Sequence, residues 1–106
     1  ESSKVIGRRV ILSPEAEADL LALYDWIAER ASPQTALGYI DRLENYIRGF
    51  EYASERGTLR NDIREGLRTV GFERRVTIAF NVTEQEVVVL GFFYSGQNWQ
   101  EALSEH

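Results

Sequence analysis

The chain has 106 residues, enough to bury somewhat over ~60% of its unfolded surface around one core, so residues 1–106 are expected to form a single domain. It contains no cysteine and no apolar run near the ~20 residues of a membrane span, which excludes disulfides, thiolate metal sites, a cysteine nucleophile and a helical anchor within these residues. Twelve basic against seventeen acidic residues leave a net charge of −5, unfavourable for holding bare nucleic acid by its phosphates.

Arg8-Arg-Val-Ile-Leu12 is a short apolar run that predicts a first strand, ended by Ser13-Pro14. Ser13 is a good helix N-cap, and Pro14 suits the first helical position because its missing N–H would have no partner there. Glu15, Glu17 and Asp19 then complement the helix dipole, and Ala16, Leu20, Leu23 or Tyr24, Ile27 and Ala31 recur at helical spacing. Ser32-Pro33 repeats the start signal at once. The second helix carries one stripe, Ala36, Ile40, Leu43, Ile47 and Phe50, and stops near residues 52–54. So short a connection folds the two helices into an antiparallel hairpin.

Residues 55–66 are polar, include Gly57 and Gly66 and lack periodicity, which predicts an ordered surface loop. Three strand runs follow with tight turns: Leu67–Phe72, Arg75–Val82 and Val87–Tyr94, closed by Ser95-Gly96. Val, Ile and Phe in such runs argue for an antiparallel meander. In the middle run Val76, Ile78, Phe80 and Val82 alternate with mostly polar partners, so one face meets the helices. The last run is apolar on both faces and needs cover on both, from the chain or from a partner. The expected architecture is α+β, a helical hairpin on a small antiparallel sheet in the order β-α-α-β-β-β. Leu20, Ile27, Ile40, Leu43, Ile47, Ile78, Phe80 and Leu90 are its expected core.

Eleven of the twelve basic residues are arginines. Six of them lie between Arg56 and Arg75 against three acids, a local +3 on an acidic chain. Solvated charges and internal salt bridges account for such a segment as readily as an arginine-lined recognition edge does. Catalytic patterns are sparse. The single histidine is His106, and no metal-ligand spacing, phosphate loop or serine nucleophile arrangement stands out. The acids at the first helix start serve its dipole, and Trp26 and Trp99 read as packing and anchoring groups. A binding protein without cofactor or metal is the reading from residues alone. With no secretory pattern at its opening residues, it is expected in the cytoplasm.

Strand, helical hairpin and three antiparallel strands is an order that resembles the RelE/ParE toxin superfamily of bacterial type II toxin–antitoxin systems. The local text is similar to its ParE-type branch over nearly the whole chain: Arg9-Val-Ile-Leu-Ser-Pro-Glu-Ala16 with Asp19-Leu20 and Ile27-Ala28, Asp62-Ile-Arg-Glu-Gly-Leu-Arg68, Arg75-Val-Thr-Ile-Ala-Phe80, and Val88-Val-Leu-Gly-Phe-Phe-Tyr-Ser-Gly96. That resemblance implies a toxin that poisons DNA gyrase by binding it, without a catalytic centre. A ParD-like antitoxin would lie across helices and sheet in a hetero-oligomer. It implies no membrane and no direct nucleic-acid contact by the toxin alone. The residues expected to bind antitoxin or target are Arg64, Arg68, Arg75, Phe93, Tyr94 and Trp99.

Two other readings stand beside it: a RelE-like ribosome-dependent mRNA endonuclease, and an inactive toxin-derived interaction module. For the nuclease, Arg75 matches an arginine by position, and Tyr94 is a candidate for proton transfer. Gln97-Asn98 stand where those enzymes carry a lysine and an arginine, and neutral amides cannot neutralise a developing phosphorane charge.

Overall fold

The computed structural model of the chain describes residues 7–52, 55–94, 97, 98, 100 and 103. Ser95, Gly96, Trp99 and His106, singled out above, lie outside the described residues. Strand β1 (Arg9–Leu12) leads into helix α1 (Pro14–Arg30), then α2 (Pro33–Arg48) and a 3-10 turn at Gly49–Glu51. Strands β2 (Thr58–Leu59), β3 (Leu67–Phe72), β4 (Val76–Val82) and β5 (Glu86–Tyr94) follow.

Both serines cap their helices as their position implies. Ser13 Oγ accepts from the Ala16 N–H at 3.0 Å and Ser32 Oγ from the Thr35 N–H at 3.0 Å, each with proline next in line. Ala31 and Ser32 alone join the helices, which turns them back as a hairpin. α1 lies along β5, while α2 sets Tyr39 and Tyr46 against Phe72, with Tyr46 on Phe50 and Phe50 on Phe80 at 4.7–5.6 Å between ring centroids.

The sheet runs β1-β5-β4-β3-β2. β3, β4 and β5 form the expected antiparallel meander, but β1 joins β5 in parallel, so the sheet is mixed. Two further boundaries differ from the sequence reading. β2 is a two-residue strand inside the predicted loop, too short to show a period, and the third run begins at Val76, leaving Arg75 in the turn. Leu43, Ile47, Ile78 and Phe80 are buried as expected; Leu20, Ile27, Ile40 and Leu90 are half-buried. On α2 the inward position next to Ile40 belongs to Tyr39, whose ring is apolar enough to fill it.

β5 holds the central irregularity. Ala79 sits opposite Gly91 and Phe80 opposite Val89, so Leu90 is an extra residue, a β-bulge. The bulge shifts the alternation by one. Val87 and Val89 and then Phe92 and Tyr94 face the helices, whereas Leu90 and Phe93 join Leu67, Ala79, Ile63 and Leu103 in a second cluster on the other face. The two-sided apolarity of β5 is thus met on both faces by this chain. α1 holds the bulge in place: the Ser13 N–H donates to Val89 O at 2.9 Å, and Asp19 Oδ2 accepts from the Phe92 N–H at 3.2 Å. A Cβ on Gly91 would come within 2.9 Å of that same carboxylate oxygen, so glycine is needed for the approach. Burial raises the Asp19 carboxyl above its ordinary value, against the Phe92 N–H, which lowers it, and with nearby Glu15, which raises it.

Two outcomes follow from this packing. Ile47→Ala and Phe80→Ala are expected to cost roughly 2–5 kcal/mol each in urea denaturation, against near-neutral surface controls. At position 19, alanine leaves the Phe92 N–H without its acceptor and should destabilise by about 1–3 kcal/mol, whereas asparagine keeps an acceptor. Because the folded-state pKa of Asp19 is raised, its proton-linked stability is present at low pH and lost as pH rises through the raised value. Asp19→Asn should therefore gain on the parent chain as pH climbs above the ordinary carboxylate range in paired denaturation curves.

Candidate functional site

A groove of about 820 Å³ lies where the connected ends of α1 and α2 meet the β3–β4 turn and the end of β5. Its floor is aromatic. Trp26 of α1 packs on Tyr94 of β5 at 5.1 Å between centroids, and Tyr39 of α2 lies beside them with its edge to Phe72. Its walls are cationic. The Arg30 guanidinium stacks 4.4 Å above the Trp26 ring, Arg42 stands 5.3 Å from the Tyr39 ring, and Arg74 and Arg75 enter from the turn. Among the described residues the one carboxylate in the lining is Glu73, held by Arg42 through Nε at 2.8 Å and Nη2 at 3.0 Å. That fork keeps the Glu73 carboxyl below its ordinary range.

The turn itself is unusual. Glu73 and Arg74 adopt φ of 51° and 60°, and the Arg75 N–H closes on Phe72 O at 3.1 Å. Tight hairpin turns of this kind favour asparagine and glycine, and a bulky residue in the left-handed region costs about 1–2 kcal/mol. Beneath the turn the Tyr39 hydroxyl is buried without a hydrogen-bond partner among the described residues. Burial raises its pKa, and Glu73 adds to this while Arg75 and Arg42 oppose it. The Tyr94 hydroxyl is also pushed up, by burial and by Asp19 and Asp25, with Arg30 opposing.

The expected site residues separate in space. Arg75 and Tyr94 both line the groove. Arg68 lies near the opposite end of β3, opposite Phe80 and Leu59, with its guanidinium 3.4 Å from Arg56 O. At about 3.3 Å per residue, the strand sets it on the order of 15 Å from the turn. Arg64 stays in the loop that precedes β3, and Phe93 packs on the other face of the sheet. Trp99 lies outside the described residues. Of the three acids in the arginine-rich segment, Asp62 is forked by Arg60 at 2.8–2.9 Å, which absorbs part of that charge, while Glu73 is forked by Arg42 from outside the segment. Trp26, Arg30, Tyr39, Arg42 and Arg74 were not anticipated. The arginine count was the one signal that included Arg74, and the other four come from helices read for their apolar stripes.

The family model of the ParE toxin of type II toxin–antitoxin systems, parDE, matches residues 10–99. The chain belongs to the ParE toxin family. Among solved structures, a chain of the chromosomal ParDE toxin–antitoxin system from P. aeruginosa superposes with a TM-score of 0.72. It is 24% identical, over 82% of this chain and 95% of that one. No curated protein sequence matches significantly. In this ParE toxin the matched segment contains the whole groove, the bulge and its Asp19 clamp. No helix among the described residues is long and apolar enough to cross a membrane.

The strained turn gives a measurable contrast. Arg74→Gly should raise stability by roughly 0.5–1 kcal/mol, because relief of the left-handed backbone exceeds the entropy glycine adds to the unfolded chain. Arg75→Gly, at a position without positive φ, should lower it by about the same amount in matched urea titrations.

Proposed function

We propose that this toxin acts by binding DNA gyrase, without chemistry of its own, and is held inactive by a ParD-type antitoxin. The family match across residues 10–99 is the observation that carries the reading. The net charge of −5 supports a protein target over a bare nucleic-acid one. Gln97 adds to this: its side-chain Oε1 accepts from the Tyr94 N–H at 2.8 Å, so the amide where the nucleases carry a cation ties down the end of β5.

One observation favours the nuclease alternative. Arg75 and Tyr94, its two matching residues, line one groove. Against it, Gln97 and Asn98 stand where the nucleases carry cations, and neutral amides cannot neutralise a developing phosphorane charge. Purified toxin should inhibit gyrase supercoiling and trap cleavage complexes while messenger RNA stays intact in expressing cells. Tyr94→Phe should keep that toxicity largely unchanged. Ribosome-dependent messenger cleavage abolished by the same substitution would establish the endonuclease instead.

A further inference from the structure

We infer that the groove beside the β3–β4 turn is the seat of an acidic segment of the antitoxin, whose carboxylates meet Arg74 and Arg75 while an apolar side chain rests against Trp26. The inference builds on the toxin–antitoxin reading and adds the location and chemistry of the contact. Charge complementarity is its first support. On a chain of net −5, four guanidiniums converge on one concavity whose single lining carboxylate among the described residues already has both oxygens taken by Arg42. Like charges gathered this way repel, and an incoming carboxylate removes that repulsion.

The second support is the state of the two turn arginines. Eight of the eleven arginines have a side-chain hydrogen bond, ion pair or ring contact, and Arg64 has an interaction of its own. The guanidiniums of Arg74 and Arg75 form no hydrogen bond, ion pair or ring contact with the described residues, and Arg75 only feels the nearby Glu73 and Tyr39 through space. Third, Arg74 occupies a left-handed position that glycine would fill with less strain, so its side chain stands there at the expense of the turn. The Tyr39 hydroxyl under the same turn supplies one more donor without an acceptor among the described residues.

Size and floor narrow the occupant. A groove of about 820 Å³ has room for several side chains, far more than one phosphate. The Trp26 and Tyr94 rings offer apolar contact that a nucleic-acid backbone would not use, and the chain's overall negative charge repels an extended polyanion. A short peptide that alternates carboxylates with an aliphatic or aromatic residue uses walls and floor together.

The test uses the full-length toxin and, as probe, the purified protein encoded by the reading frame adjoining the toxin's. Arg74→Glu combined with Arg75→Glu should weaken the complex on the order of 100-fold and flatten its salt dependence. Arg48→Glu, an exposed charge reversal outside the groove, should change affinity by less than about threefold. Hydrogen exchange should show protection of residues 26–42 and 73–76 in the complex. Tight binding by the doubly reversed toxin, or protection confined to the face around Leu67 and Phe93, would overturn the inference and leave the antitoxin reading standing. So would a double variant that keeps the adjoining protein but loses gyrase inhibition, or one whose loss falls on a labelled single-stranded oligonucleotide instead. No complex at all with the adjoining protein would overturn both.

Discussion

Asp19 reaches from the first helix to the Phe92 N–H at the point where β5 carries one residue more than β4. Without that extra residue the alternation would continue from Val87 and Val89 to Gly91 and Phe93, and Tyr94 would point away from the helices. With it, Phe92 enters the main core and Tyr94 packs on Trp26. The groove floor therefore depends on the bulge, and the bulge on a helix start held by Ser13 and Asp19. Glycine at 91 is what lets the carboxylate come so close.

The same clamp explains how a small sheet covers both its faces. Shifting the phase sends Phe93 and Leu90 to the opposite side, where Leu67, Ala79 and Leu103 receive them. A strand that reads as two-sided is then packed on both faces within one chain, and the groove beside its end is polar and aromatic. Recognition by such a surface rests on charge and shape more than on bulk apolar area.

Under the proposed antitoxin contact, stability and recognition compete at the β3–β4 turn. Glu73 and Arg74 occupy backbone conformations that Asn-Gly would adopt with less strain, and Glu73 is tied to α2 by Arg42 across exposed surface, where an ion pair adds little to folding. The fork fixes the direction of the turn, and so the direction from which Arg74 and Arg75 present their charge. An exposed pair of modest worth to folding thereby shapes the site.

Ser13-Pro14 and Ser32-Pro33 marked both helix starts, because capping is settled within a few residues of chain. The strand runs were equally legible, since alternation is a local property, and the ordered text from Arg9 to Gly96 carried the family. The phase of β5 past Leu90 was not legible: a bulge adds no residue type that a period can register, and its stabiliser, Asp19, looked like one more acid at a helix start. Nor was the groove. Arg68 and Arg75 belong to one basic segment yet sit near opposite ends of β3, while Arg30, Arg42, Arg74 and Arg75 come from three elements and share one concavity. By itself the sequence determined the elements other than β2, their order and the family, because each rests on neighbours along the chain. Tertiary structure alone decided which charges meet, because that depends on strand register and on how the helix hairpin lies across the sheet.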